Sequence, residues 1–465
     1  MSRTVITFRV LAGVPLGAPP QITFSVEAPG ENLPEVTDAF LAVDTDLLDA
    51  VSQLTAYRSD PASITDVVRN AGGALYGSLL KHMNATHALT RTIQAANGTS
   101  ERQIRLRIPG IAASAQNLPW ELLHAPTSGF LELSNRIPVV REIEAKSRPR
   151  TPDGLLTDAG LRIFSVIAAQ GVSGRGEWKA ISKATAEFGK PFQLRVLVGD
   201  EALKNEIVDE AGLNERISVE LVPGNKLDLL NDIRSFRPQI CHLFCHGRSS
   251  SGGYLEIENS GTVFGGNPHI LMASDLEDVL PGSAWLVLLN ACLGAQADPG
   301  SGTSALSASL IKEGVPIVVA MREEVPADIV GRFTAAFLTD ALHTIAQIAE
   351  KGSEAELDLS ACLTRARATI CDNYPGVGPI PTNEIGARVK EWALPVMSVS
   401  KNGFRLIPKS GVYIDQIEVA GLRGELDSLN RLKELMNDAL TEPQRATIEQ
   451  KIRQLQDRLV ALIAA

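Results

Sequence analysis

The chain has 465 residues, of which 44% are hydrophobic and 21% are charged, a composition typical of a globular protein with two or more domains. The formal net charge is -10 and no basic run is interleaved with aromatic residues, so a surface for nucleic acid or anionic membranes is not expected. The start, MSRTVITFRVLAG, lacks a signal-peptide pattern, and no apolar run is long enough to span a membrane. These features indicate a cytoplasmic protein, in which the five cysteines are reduced thiols.

The first part of the chain mixes strand and helix patterns. Alternating residues predict strands in RTVITFRVL, QITFSVEA, RQIRLRIP and IPVVREI, and helical spacing occurs in TDLLDAVSQLTAYR and SITDVVRNAGGALYGSLLKHM. We therefore expect an α+β lobe over residues 1–145. The stretch KSRPRTPDG has two prolines, a glycine and four charges, which predicts a linker over residues 146–155.

Residues 156–410 have a more regular pattern, in which apolar runs alternate with amphipathic helices. Strands that are buried on both faces and separated by helices predict an α/β fold with a doubly wound, mainly parallel sheet. The predicted strands are LRIFSVIAA (161–169), FQLRVLVG (192–199), ICHLFCH (240–246), AWLVLLNAC (284–292) and VPIVVAM (315–321).

The last stretch, residues 421–465, is predicted to be a helical hairpin. In its second half, Ile448, Ile452, Leu455, Leu459 and Leu462 follow the 4-3-4-3 spacing of a coiled-coil seam, and leucines at helical spacing precede them. Such a seam can pack on its own chain, dimerise or dock a partner helix, and the pattern does not choose among these.

The stretch ICHLFCHG places two cysteines and two histidines within six residues, which raises the question of a metal site. On a strand, Cys241 and Cys245 point to one face while His242 and His246 point to the other, so the four cannot meet one ion. A structural zinc also needs a second ligand pair, and none follows. We expect no metal here, and we expect Cys245 and His242 to be core residues.

His246 and Cys292 each end a predicted parallel strand and are closely followed by a glycine, Gly247 or Gly294. Because the carboxyl ends of parallel strands lie at one edge of a sheet, the two side chains meet there if the strands are neighbours. An imidazole beside a thiol can take its proton and produce the attacking thiolate. The backbone N–H groups of Gly247 and Cys292 would then form an oxyanion hole. Spacing alone also allows both side chains to be ordinary core residues.

Several segments, taken together and in this order, resemble the CHAT family, caspase-like cysteine peptidases of the clan of caspases and separases. The resemblance implies that His246 is the catalytic histidine and Cys292 the nucleophile of an endopeptidase that acts through a thioester. It also implies a caspase-like catalytic domain over residues 156–410, with residues 1–145 as a pseudo-caspase-like companion lobe. The matching segments are LPWELLHAP (118–126), LRIFSVIAAQG (161–171), QICHLFCHG (239–247), LVLLNACLG (286–294) and GVPIVVAMREEVPADIVGRFTAAFL (314–338).

The same resemblance suggests where a substrate binds. Family members bind substrate as an added strand beside the segment that matches Val318–Glu324. Asn290 is neutral where some clan relatives carry an acid for basic P1 residues, so a preference for Arg or Lys is not implied. The charged residues after Met321 are equally compatible with a solvated turn. The candidate substrate-binding residues are Asn290, Asp298, Met321, Arg322, Glu323 and Glu324.

The sequence thus predicts a cysteine endopeptidase that needs no metal or organic cofactor and cleaves a specific protein substrate. We expect it to be latent until an activating protein, self-association through residues 421–465 or loop cleavage switches it on. The resemblance suggests a role in bacterial defence or regulated cell death. The alternative is a catalytically silent caspase-like scaffold that assembles partners through its helical tail. A serine hydrolase is disfavoured because no G-x-S-x-G motif occurs.

Overall fold

The fold is taken from a computed structural model of the chain. It describes residues 4–13, 21–27, 39–42, 45–62, 66–81, 83–94, 102–108, 116–144, 154–156, 160–212, 214–248, 253–259, 267–292, 294, 305–376, 380–408, 426, 429, 433 and 448–456.

Within the described residues, strands and helices alternate from residue 161 to residue 244. The strands are β1 (Thr4–Gly13), β2 (Gln21–Glu27), β3 (Ala39–Ala42), β4 (Arg102–Ile108), β5 (His124–Ala125), β6 (Gly129–Phe130), β7 (Val139–Ile143), β8 (Gly154–Leu156), β9 (Leu161–Ile167), β10 (Phe192–Val198), β11 (Ile217–Leu221), β12 (Ile240–Phe244), β13 (His246–Arg248), β14 (Tyr254–Ile257), β15 (His269–Met272), β16 (Leu286–Asn290), β17 (Ile317–Met321), β18 (Ala355–Glu356), β19 (Pro395–Ser400) and β20 (Arg405–Pro408). The helices are α1 (Thr45–Ala56), α2 (Val67–Leu80), α3 (Met83–Gln94), α4 (Leu131–Asn135), α5 (Arg175–Glu187), α6 (Glu201–Ala211), α7 (Lys226–Phe236), α8 (Ala273–Glu277), α9 (Leu306–Lys312), α10 (Ala327–Lys351), α11 (Ser360–Asp372) and α12 (Thr382–Arg388). No helix in these described ranges is long and apolar enough to cross a membrane.

One large sheet organises the molecule, in the order β11-β10-β9-β12-β16-β17-β19-β7-β4-β1-β2-β3. From β11 to β17 every neighbouring pair is parallel, which confirms the predicted mainly parallel α/β fold. Successive side chains of a strand point to opposite faces of the sheet, and helices pack against both of these faces. Along β16, Leu288 packs in a core with α5 and α10, whereas Val287 and Leu289 pack in a second core with α7 and α9.

The sheet continues from the region after the predicted linker into the region before it. β19 pairs antiparallel with β17 on one side and parallel with β7 on the other. Helices α4 and α11 are also joined, because the buried Arg367 guanidinium donates to the buried Glu132 carboxylate. The two predicted lobes therefore share one sheet and a buried ion pair. Within the predicted linker, Gly154 and Leu155 belong to β8, which pairs with β20, and residues 146–153 lie outside the described residues.

The strand that carries His246 differs from the prediction. β12 ends at Phe244, Cys245 forms a bend, and His246 begins the separate strand β13. β13 pairs antiparallel with β14, and β14 pairs with β15, so a small three-stranded sheet leaves the edge of the large one. The predicted single strand to residue 246 was wrong, because the chain turns out of the large sheet to enter the small one. His242 and His246 therefore do not share one strand.

Part of the predicted helical tail is described. Residues 448–456 are helical, and Ile452 and Leu455 of the predicted seam are buried. Lys433, which lies in the first predicted helix, has its Nζ 2.7 Å from Oε1 of Glu449. This ion pair joins the two halves of the tail. The remaining tail residues lie outside the described ranges.

Candidate functional site

The carboxyl ends of β12 and β16 lie side by side, which is the condition on which the predicted dyad depends. The two strands are parallel neighbours, with Phe244 opposite Asn290. His246 and Cys292 each follow their strand by two residues. Both residues therefore lie at the edge of the sheet where these two strands end.

Gly247 lies directly against the backbone of Cys292. A Cβ atom added at Gly247 would be 1.9 Å from the carbonyl oxygen of Cys292 and 3.2 Å from its nitrogen. Such a separation is far inside van der Waals contact, so only glycine permits this approach. The two residues that the sequence assigns to the oxyanion hole are consequently in contact through their main chains.

His246 is held by a backbone carbonyl from the loop after β9. Its Nε2 atom lies 2.7 Å from the carbonyl oxygen of Gln170. A carbonyl oxygen only accepts hydrogen bonds, so Nε2 carries the hydrogen and donates it. In the neutral ring, Nδ1 is then the unprotonated nitrogen and can act as the base.

Cys292 is a half-buried thiol at rest. Burial raises the pKa of this thiol, and the negative charge of Glu324 adds to the increase. The backbone N–H of Val325, which donates to the sulfur, and the positive charge of Arg248 lower the pKa only in part. At neutral pH the thiol is therefore protonated, and a thiolate forms only if a base such as His246 takes the proton.

A cavity of about 280 Å³ opens beside the dyad. We call it the dyad cavity, because both His246 and Cys292 border it. Its walls are largely apolar, which suits a side chain with a long hydrocarbon stem. The apolar residues of the lining include Val172, Phe244, Met321, Val325, Ala327 and Val330.

Behind the dyad cavity, five buried polar residues form a hydrogen-bonded group, the Glu177 cluster (Ser165, Glu177, His242, Asn290 and Thr334). Oε2 of Glu177 is 2.9 Å from Nε2 of His242 and 3.0 Å from Nδ2 of Asn290. Nδ2 of Asn290 is also 2.6 Å from Oγ1 of Thr334, and Oγ of Ser165 is 2.9 Å from Nδ1 of His242. As the sequence predicts, His242 is a buried core residue.

The other predicted substrate-binding residues differ in whether they line the dyad cavity. Met321 lines the dyad cavity together with Asn290. Arg322 is buried and donates to Glu323, whose other carboxylate oxygen lies 2.6 Å from Nζ of Lys390. Both of these charged side chains thus have partners inside the protein. Glu324 is exposed and acts on Cys292 through its charge.

Two further features of the predicted site concern Asp298 and a metal ion. Asp298 lies outside the described residues. Within the described ranges, no group of three or more His, Cys, Asp and Glu side chains is arranged to hold a metal ion.

Comparison with known proteins gives a matching family and a structural similarity to separase. The family described as the CHAT domain matches residues 71–398, well over half of the chain. No curated protein matches the sequence. Separase in the Saccharomyces cerevisiae separase–securin complex is similar in structure, with a TM-score of 0.36 and 12% identity over 82% of this chain. The similarity covers 21% of the separase chain, so this chain spans about a fifth of the length of that protein.

Proposed function

Because this chain belongs to the CHAT domain family, we propose that it is a cysteine endopeptidase with Cys292 as nucleophile and His246 as base. The observation that carries the proposal is the contact between Gly247 and Cys292 at the ends of neighbouring parallel strands. A core cysteine and a core histidine would not need a cavity beside them, whereas a dyad requires room for a peptide.

The proposed reaction uses the hydrogen bond between His246 and Gln170 throughout. Nδ1 of His246 takes the proton from the Cys292 thiol, and the thiolate attacks the peptide carbonyl carbon. The backbone N–H groups of Gly247 and Cys292 stabilise the oxyanion of the tetrahedral intermediate. The imidazolium, oriented by Nε2–H donation to Gln170, then protonates the leaving amine as the C–N bond breaks. Water attacks the resulting thioester and releases the acid and the thiol.

The electrostatics of the resting site support a latent enzyme. Burial and Glu324 together keep the Cys292 thiol protonated, so the nucleophile is not charged before substrate or an activator arrives. We propose that a protein partner, or self-association through residues 421–465, supplies the switch, and that the substrate is a dedicated protein rather than proteins in general. The resemblance to the family suggests bacterial defence or regulated cell death as the setting.

The test is to express the full chain with the products of its neighbouring genes and to map new protein N-termini by mass spectrometry. Wild type is compared with Cys292→Ala, His246→Ala and Cys245→Ala. Cys245 is the matched control, because it is a buried thiol near the nucleophile whose pKa burial raises strongly. We expect cuts in wild type and in Cys245→Ala only, and these cuts name the substrate and its P1 residue.

Identical termini in all four samples would contradict the endopeptidase proposal. The chain would then act as a scaffold, and the helical tail would be the first place to look for a partner. Cuts that disappear with Cys245→Ala but persist with Cys292→Ala would instead show that the nucleophile is Cys245 and not Cys292.

A further inference from the structure

A short segment between β17 and α10, residues 322–325, borders the nucleophile. Val325 lines the dyad cavity together with Cys292, and its backbone N–H donates to the Cys292 sulfur. A hydrogen bond to the sulfur favours the charged thiolate over the neutral thiol. Val325 belongs to no helix or strand, because β17 ends at Met321 and α10 begins at Ala327. The direction of its N–H therefore depends on what holds residues 322–325 in place.

This segment is held by its main chain and by a charged side chain. The N–H of Arg322 donates to the carbonyl of Leu394, which extends the pairing of β17 with β19 by one residue. Oε2 of Glu323 lies 2.6 Å from Nζ of Lys390, and Oε1 of Glu323 lies 3.1 Å from Nη2 of Arg322. Both carboxylate oxygens of Glu323 are thus paired two residues before Val325.

Lys390 is itself fixed by helix α1. Its Nζ lies 3.0 Å from the carbonyl oxygen of Leu54 and 3.4 Å from that of Thr55, in the last turn of the helix. That turn has no basic residue of its own, and the carbonyl oxygens at the end of a helix favour a cation. An ammonium group has three donors, and Glu323, Leu54 and Thr55 supply three acceptors. The Lys390 side chain, which is 9% exposed, therefore has a well-defined position.

These contacts form a continuous path from α1 to the nucleophile. Helix α1 fixes Lys390, Lys390 fixes Glu323, and Glu323 fixes the chain beside the dyad cavity. Two residues of extended chain span about 7 Å, so a Glu323 carboxylate held in place leaves the N–H of Val325 little freedom. The path also joins a helix that precedes the predicted linker to a site built on strands that follow it.

We propose that Lys390 is a positioning residue for the nucleophile. Through its ion pair with Glu323 it keeps the N–H of Val325 directed at the Cys292 thiolate. The inference rests on the proposed function, in which that thiolate attacks the peptide. Lys390 is not a catalytic residue in this scheme, because it acts on Cys292 only through the chain.

Charge and positioning predict opposite results when Glu323 is made neutral. Glu323→Leu removes a negative charge, which by itself favours the thiolate, whereas the loss of positioning disfavours it. For Lys390→Met both effects disfavour the thiolate. Less thiolate in both variants is therefore the result that only positioning predicts. The charged or titratable groups that border the dyad cavity or act on the thiol include Glu324, Arg248, His246 and Cys245.

The test follows alkylation of Cys292, so that it does not depend on cleavage. The full chain of each variant is treated with iodoacetamide from pH 6.5 to pH 10, and the rate is measured by mass spectrometry of the Cys292 peptide. We expect labelling at pH 7.5 to slow by about tenfold in both Glu323→Leu and Lys390→Met, the scale of one hydrogen bond to a charged group. The rates should approach that of wild type at the high-pH end, where more of the thiol ionises. The double variant should label no more slowly than the slower single variant, because both substitutions break one path.

Three further variants serve as controls. Lys390→Arg keeps a cation beside Glu323 and should label at a rate closer to that of wild type than Lys390→Met does. Glu324→Leu removes the neighbouring charge but leaves the ion pair intact, so it should label faster than wild type. Lys401→Met removes an ammonium group from a surface pair with Glu144 and should match wild type.

Faster labelling of Glu323→Leu, or unchanged labelling of Lys390→Met, overturns the inference. Faster labelling of both variants at every pH also overturns it, because a loosened structure that exposes Cys292 would show only a structural role. The endopeptidase proposal fails separately. If labelling follows the expected pattern but wild type makes no cut in the mapping of protein N-termini, the positioning stands and the peptidase chemistry does not.

Discussion

The fold orients the side chain of His246 but leaves the thiol of Cys292 protonated. The carbonyl of Gln170 sets the tautomer and the ring orientation of His246 before any substrate arrives. The Cys292 thiol, by contrast, has its pKa raised by burial and by Glu324, so this thiol is protonated at neutral pH. The charge state of this one sulfur therefore depends on the charges that surround it.

The charges near Cys292 allow a direct test by alkylation. Glu324→Gln removes a charge that raises the pKa of Cys292, so more thiolate is present at pH 7.5 and iodoacetamide should label the residue faster. Arg248→Gln removes a charge that lowers the pKa, so labelling should slow. We expect changes of about threefold in each direction, the scale of a screened surface charge. The rate is followed by mass spectrometry of the Cys292 peptide.

Asp328→Asn is the control for the alkylation experiment. It removes an exposed acid at the start of α10 that is not among the main causes of the pKa shift of Cys292, and its labelling rate should match that of wild type. A shift in the same direction for Glu324→Gln and Arg248→Gln would refute the electrostatic account.

At the residue scale, the placement of His246 and Cys292 near one edge of the sheet was predictable, and the Glu177 cluster was not. His246 and Cys292 each end an apolar run and are closely followed by a glycine, so both candidates are visible locally in the sequence. Glu177 is 113 residues away from Asn290 in the chain, and nothing in the helical pattern around Trp178 distinguishes it from a surface acid. Its role depends on a long-range contact that periodicity does not encode.

At the element scale, the break between β12 and β13 brings glycine against the nucleophile. Had β12 continued straight through Cys245, His246 would remain in the large sheet. The bend at Cys245 instead carries Gly247 into contact with Cys292 while β13 begins the small sheet. Alternation of side chains predicts a strand through such a stretch, and sequence periodicity has no signal for the point at which a chain changes sheets.

Gly247→Ala should disable the site. The new Cβ meets the carbonyl oxygen of Cys292, and backbone cannot move aside as a flexible side chain can. We expect loss of substrate cleavage and a decrease of about 1–3 kcal/mol in the free energy of unfolding, the usual range for overpacking. Gly294→Ala is the matched control, because a Cβ there lies 3.4 Å from its nearest neighbour, the Cβ of Ala320. Similar cleavage by both variants would contradict the close packing.

Helix α2 offers a second pair of glycines for the same physical argument. A Cβ on Gly72 would be 2.0 Å from the carbonyl oxygen of Leu122, whereas one on Gly73 meets nothing within 4 Å. Gly72→Ala should therefore reduce the free energy of unfolding by about 1–3 kcal/mol. Gly73→Ala should increase it by about 0.5–1 kcal/mol, because alanine favours helix more than glycine does. Denaturant unfolding of both variants checks the prediction, and equal values would refute it.

At the scale of the whole molecule, the two lobes expected from the sequence are parts of one sheet. Composition and turn residues suggest a division near residue 146, and the strands on each side were recognisable from their patterns. The order β17-β19-β7 was not predictable, because β19 lies far along the chain from both β7 and β17. Only its hydrogen bonds in the structure place it between them. The buried Glu132 and Arg367 pair reinforces the same junction from the helical layer.

Glu132 gives this junction a pH dependence. Burial raises the pKa of its carboxyl from 4.5 to about 7, although Arg367 opposes the increase. The folded state thus holds the proton more tightly than the unfolded state, so the stability contributed by Glu132 is full below pH 4.5 and declines as the pH rises to about 7. We expect a decline on the order of 1–3 kcal/mol. Glu132→Gln cannot titrate and should lack it.

The measurement is the free energy of unfolding in urea from pH 4.5 to pH 8, for wild type, Glu132→Gln and the exposed control Glu144→Gln. The difference between wild type and Glu132→Gln should shrink as the pH approaches 7 and then stay constant. Glu144→Gln should follow the wild-type curve, because Glu144 is exposed and its ion pair with Lys401 lies at the surface. A constant difference at every pH would show that Glu132 does not titrate in this range.

The position of β19 also determines when the large sheet of a newly made chain can be completed. During synthesis on the ribosome, β7 and β17 both emerge before residues 395–400, so two strand edges wait for several seconds until their shared neighbour is made. Those edges are open to mispairing during that interval. The same delay keeps β17, next to the nucleophile's strand, without its support until translation has passed residue 400. An incomplete nascent chain therefore carries His246 and Cys292 without the completed sheet beside them.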